Sequence, residues 1–143
     1  MNQRLLLSTF LALSCVYGFA QEANGQKAPC ASFPCIVASI SLTSQTEAVS
    51  QVPIYTPATD GLFRVVYYEE VSQTGFGTWV FTWSWTDDLK TESQDMIQLS
   101  QGGYANYGVT AIRAVAGRPI TYTVTHRFGG GSYNLFATVE QMQ

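Results

Sequence analysis

From Cys35 onward the chain alternates apolar and polar residues with a period of two. The clearest stretch is Thr78 to Thr86. There Trp79, Phe81, Trp83 and Trp85 fall on one side, and Thr78, Val80, Thr82, Ser84 and Thr86 on the other. Successive side chains of a β-strand point to opposite faces, so this spacing predicts a strand with one aromatic face. Residues 62–71 predict another, with Phe63, Val65 and Tyr67 sharing a face. Shorter strands are predicted over residues 35–42, 52–56, 96–99, 109–115, 120–127 and 133–142. Pro53 restricts its strand to a sheet edge or a strand start.

Turn chemistry separates these segments. Pro57-Ala58-Thr59-Asp60-Gly61 reads as a turn. The glycines of Ser72-Gln73-Thr74-Gly75-Phe76-Gly77 predict a hairpin between the two long strands. Residues 101–108 form a Gly-rich loop carrying Tyr104 and Tyr107, and residues 116–119 and 128–132 are further connections. No segment shows a 3.6-residue period. Seven or eight short strands without helices predict an all-β antiparallel sandwich or barrel.

The first twenty residues follow a different rule. Arg4 is the one charge before an apolar run over residues 5–16, and Gly18 and Ala20 stand three and one residues before a cut at Gln21. This is the layout of a secretory signal peptide, and the run is shorter than the roughly 20 apolar residues that span a bilayer. The expected division is a leader over residues 1–20, a flexible linker over residues 21–34 and a β-sandwich domain over residues 35–143. Ala12-Leu13-Ser14-Cys15 also resembles a bacterial lipobox, which would lipidate Cys15 and tether the protein to a membrane. Ala12 stands where Leu is usual, and residues 16–19 are apolar where a polar tether is usual, so simple cleavage is preferred. The mature chain is then secreted, periplasmic or at the cell surface.

Composition narrows the classes further. The formal net charge is −3, and Lys27, Arg64, Lys90, Arg113, Arg118 and Arg127 are scattered along the chain. Nucleic-acid binding needs such charges gathered on one face, so that class is excluded. Cys30 and Cys35 are the cysteines left after the leader, and an even pair in an oxidising compartment reads as a disulfide. Zinc is disfavoured, because no His lies near the pair.

Two motifs carry a family resemblance. Tyr55-Thr56-Pro57-Ala58-Thr59-Asp60-Gly61-Leu62-Phe63 has an aromatic, a Pro and a Gly before an aromatic that opens a long strand. Ile112-Arg113-Ala114-Val115-Ala116-Gly117-Arg118-Pro119-Ile120-Thr121-Tyr122 places a strand, a Gly turn and a strand in succession. Together they resemble the C1q and tumour-necrosis-factor-like jelly rolls, over roughly the last three-quarters of the chain. The resemblance implies a compact jelly roll that often assembles as a trimer and acts by binding. Arg118 stands where Asp is usual in that turn, so no metal role is carried over to it.

Candidate chemistry is sparse. The stripe Trp79, Phe81, Trp83 and Trp85 is either a sugar-stacking platform or the inner face of the sandwich. Hydroxyl side chains opposite it favour the core, with Trp85 expected to be its most exposed member. Trp85, Tyr104 and Tyr107 are therefore the candidate contacts for a polysaccharide or protein ligand. The acidic pairs Glu69-Glu70 and Asp87-Asp88, near adjacent ends of the predicted hairpin, are candidates for a glycosidase dyad or a calcium site. Neighbouring strand residues face opposite sides, so each pair can offer one carboxylate to a given face. His126 is the single histidine, lacks a nucleophile elbow nearby and reads as a half-buried strand residue. No catalytic residue, metal or cofactor is assigned.

Overall fold

In a computed structural model the described residues are 30–71, 78–99, 103–127 and 131–143. The leader, Cys15, linker residues 21–29 and most of the predicted 72–77 and 128–132 connections lie outside them. Eight strands form where the period-two pattern predicts them. They are β1 (Cys35–Gln45), β2 (Val49–Tyr55), β3 (Gly61–Val71), β4 (Thr78–Thr86), β5 (Thr91–Leu99), β6 (Tyr104–Ala114), β7 (Ile120–His126) and β8 (Tyr133–Gln141). They pair into two four-stranded antiparallel sheets ordered β1-β8-β3-β6 and β2-β7-β4-β5. Apart from β4 and β5, consecutive strands lie in opposite sheets, which is the winding of a jelly roll.

That winding corrects one expectation. β3 and β4 are not a hairpin, because β3 belongs to one sheet and β4 to the other. Each has an apolar face too large to leave in water, and stacking the two sheets covers both. Tyr67 of β3 thus meets Trp83 of β4 with ring centroids 6.3 Å apart. The Tyr133 ring of β8 packs 4.7 Å from Trp79 and 5.4 Å from Phe81. Phe63, Val65, Val71, Leu135 and Val139 complete one wall of the core, and Tyr122 and Val124 extend the other.

Several strand bounds differ from those predicted. β5 spans nine residues, of which the sequence pattern marked only the last four. The 101–108 loop is largely strand, since β6 begins at Tyr104 and pairs residue for residue with β3 along its whole length. Thr78 and Val80, expected to face solvent, are buried, whereas Thr82 and Ser84 on the same side of β4 are half-buried. Pro53 does lie on an edge strand, as its missing N–H requires. At Gly61 a Cβ would stand 2.8 Å from the Gln143 carbonyl oxygen, so the turn into β3 has no room for a side chain beside the chain end.

Candidate functional site

β3 carries apolar side chains on both faces. Its inward residues fill the core, while Leu62, Val66 and Tyr68 point out of the β1-β8-β3-β6 sheet. Register builds these into rows across the strands. Tyr68 lies between Tyr107 of β6 and Phe136 of β8, and Phe136 in turn faces Ser41 of β1. The next row is Val109, Val66 and Thr138. Tyr107 is 80% exposed, Val109 61%, Tyr68 40% and Phe136 37%, so three large rings and a valine stand in water side by side. Tyr68 and Phe136 touch, with centroids 6.2 Å apart. These neighbouring side chains are the largest exposed apolar group on this sheet face among the described residues.

Two of the charges on this face, Arg64 and Glu140, compensate each other. Arg64 donates from Nε to Glu140 at 2.9 Å and from its guanidinium NH2 to the same oxygen. Asn134 Nδ2 donates to Glu70 at 3.1 Å. The face thus carries an aromatic row beside one internal ion pair and the Glu70 carboxylate, a surface suited to stacking against rings or against another apolar surface.

No protein family matches the chain by sequence, and no curated protein sequence matches it.

The residues singled out from sequence are dispersed. Trp79 and Trp83 are 1% exposed, which settles the aromatic stripe as core. Trp85 is half-buried and packs against that core. Tyr104 and Tyr107 are both exposed, but on strand β6 rather than in a loop. Three positions apart on a strand they point to opposite sides, so they do not share a site. Tyr107 joins the exposed row.

The acidic pairs are held apart. Glu69 is buried on the inner face of β3 while Glu70 faces outward, as strand alternation requires. Asp87 Oδ1 accepts from the Lys90 N–H at 2.9 Å and the Leu89 N–H at 2.8 Å. Those two bonds, the Lys90 one first, hold its carboxyl below the usual carboxylate range. Asp88 pairs with Arg113, whose register partner is Leu62 at the start of β3. Glu69 lies seven residues further along β3, roughly 23 Å at about 3.3 Å per residue. The pairs thus occupy opposite ends of the sandwich, well beyond the roughly 5–9 Å of a glycosidase dyad. Among the described residues no three His, Cys, Asp or Glu side chains gather as a metal site.

His126 is exposed rather than half-buried. It ends β7 with its ring 4.6 Å from that of Trp79, closing the open end of the core. Cys30 and Cys35 form the expected disulfide, with Cα atoms 6.0 Å apart. Sequence reasoning missed Tyr68, Val109 and Phe136. Their signal was present in β3, where Leu62, Val66 and Tyr68 put three apolar residues on the outward side alongside Arg64 and Glu70.

Proposed function

We propose that the chain is an exported, non-catalytic jelly-roll module of the C1q and tumour-necrosis-factor-like type, which assembles with further copies through the outer face of its β1-β8-β3-β6 sheet. The observation carrying this reading is the exposed row Tyr107, Tyr68 and Phe136. Covering it with an equivalent apolar surface removes water from three rings at once. The internal Arg64–Glu140 pair lets like faces meet without like-charge repulsion. The strand order and the tight turn at Gly61 support the family likeness, which implies a trimer. The leader pattern and the disulfide support export.

Light scattering tests the reading. The expected result is a mass above that of one chain, which falls on Tyr68→Lys while the circular dichroism stays that of a β-sandwich. An unaltered mass in Tyr68→Lys, or a monomeric parent protein at high concentration, overturns the face contact.

A second reading is polysaccharide binding, favoured by Tyr68 and Tyr107 standing side by side on an open sheet. A glycan array with hits that Tyr107→Ala removes would support it, and an array without hits would sink it.

A further inference from the structure

The four sheet edges are β1, β6, β2 and β5. An edge strand leaves a row of N–H and C=O groups unpaired, and proteins normally blunt it with bulges, proline or charge. Three edges here are blunted. β1 has register shifts between Ile36 and Ala38 and between Leu42 and Gln45. β2 carries Pro53 and two register shifts. β5 carries Glu92 and Asp95. β6 alone has none of these devices over most of its length. Its eleven residues pair with β3 without a shift, contain no proline and carry no charge before Arg113.

We infer that β6 is a strand-addition site for β6 of a second copy, joined antiparallel about a two-fold axis through Val109. Antiparallel self-pairing that uses all eleven residues sets Tyr104 against the partner's Ala114 and Val109 against the partner's Val109. In this register the two largest outward side chains each meet an alanine, while Val109 meets its own copy at the axis. Tyr107 lies opposite the partner's Ala111, and Arg113 opposite the partner's Ala105. No two like charges face each other, the arrangement that would destabilise a strand pair. Ala105 is also the register partner of Glu70. The partner's Arg113, which pairs with Asp88 in its own chain, therefore enters the same cross-strand row as the Glu70 carboxylate with only an alanine between them, and the two-fold repeats this placement of opposite charges. The product is a continuous eight-stranded sheet across two copies, in which the rows containing Tyr107 join into one surface. This contact goes beyond the face contact proposed above and does not depend on it.

Cysteine cross-linking in a Cys15→Ser background reads the register directly. Residues opposed in an antiparallel pair have Cα atoms about 4.5–5.5 Å apart, within the range of a disulfide. Val109→Cys is expected to give a covalent dimer on mild oxidation. Tyr107→Cys alone is expected to give none, because the two copies of residue 107 stand four positions apart, roughly 13 Å along the strands. Tyr107→Cys mixed with Ala111→Cys is expected to link. Failure of Val109→Cys to link, or self-linking of Tyr107→Cys, overturns the inference. Adding Tyr68→Lys separates the two contacts, since the link at position 109 is expected to persist when the face contact is lost. Val109→Lys, which sets two ammonium groups together at the axis, is expected to lose the edge dimer while keeping the native circular dichroism. A dimer that survives it also overturns the inference.

Discussion

The phenol of Tyr67 occupies the space that a side chain at position 108 would need. The two residues are opposed across β3 and β6, and a Cβ on Gly108 would overlap the Tyr67 hydroxyl and stand 3.0 Å from ring atom Cε1. The same hydroxyl donates to Met96 Sδ at 2.7 Å, so the ring is held in place from the β5 side. Gly108 weakens β6 as a strand but gives the aromatic its seat. Gly108→Ala is expected to cost about 1–3 kcal/mol through overpacking. Tyr67→Phe should not rescue it, because the ring carbons still collide, whereas Tyr67→Leu should recover part of the loss. Urea unfolding of the single and double variants measures the coupling. Simple additivity would refute the contact.

The buried tryptophans carry a second expectation. Trp79 and Trp83 each place an indole N–H in the core, and neither has a hydrogen-bond partner among the described residues. Trp83→Ala should cost about 3–5 kcal/mol, the range for removing a large core aromatic. Trp83→Phe should cost far less, because losing an unsatisfied donor offsets part of the lost ring volume. Trp85→Ala should also fall well below Trp83→Ala, since Trp85 is only half-buried. Denaturant midpoints give this order, and a Trp85→Ala loss equal to that of Trp83→Ala would contradict it.

Asp87 sets an acid-dependent turn. Its carboxyl is held below its usual value by the Lys90 and Leu89 amides. A group depressed in the folded state stabilises above its unfolded value, about 3.9, and that contribution is lost as pH falls through the folded value. Protection of the Leu89 and Lys90 amides should therefore decline only in strong acid. Asp87→Asn should remove that pH dependence. Amide hydrogen exchange followed residue by residue tests it, and an unchanged pH profile in the variant would contradict it.

At the alkaline end the relevant group is Tyr133. Burial pushes its phenol well above the usual value, with the neighbouring Tyr122 a smaller contribution, and its hydroxyl donates to the Glu47 carbonyl at 3.1 Å. Its folded value is raised, so its contribution is whole below about pH 10 and is lost as pH rises further. The last step in phenolate absorbance should coincide with loss of β-sheet circular dichroism. Tyr133→Phe should move that unfolding to higher pH. Full tyrosine ionisation with native dichroism would show that Tyr133 titrates within the fold.

Much of this protein is written in local order. Alternation in Thr78–Thr86 named the strand and its aromatic face, because a two-residue period is a property of the chain itself. Pro53 limited its strand to an edge or a strand start, of which the edge is found, and Gly61 announced the turn into β3. The spacing of Cys30 and Cys35 announced their disulfide. Other features depend on which strand lies beside which, and no local period encodes that. The Gly content of residues 72–77 suggested a hairpin, yet β3 and β4 part into opposite sheets because burying two apolar faces against each other outweighs a short connection. The same partition places the two acidic pairs at opposite ends.

An all-β chain, the approximate positions of its strands and an aromatic β4 face bound for the core were all legible in the local pattern. The exposed aromatic row was set by tertiary pairing. Tyr68, Tyr107 and Phe136 are 29 or more positions apart along the chain, and only the β6-β3-β8 register sets them in one row. Tertiary pairing likewise decided that β6 would be an edge. The physical reason is that side-chain alternation is dictated within each strand, whereas neighbours across a sheet are chosen by burial of the whole.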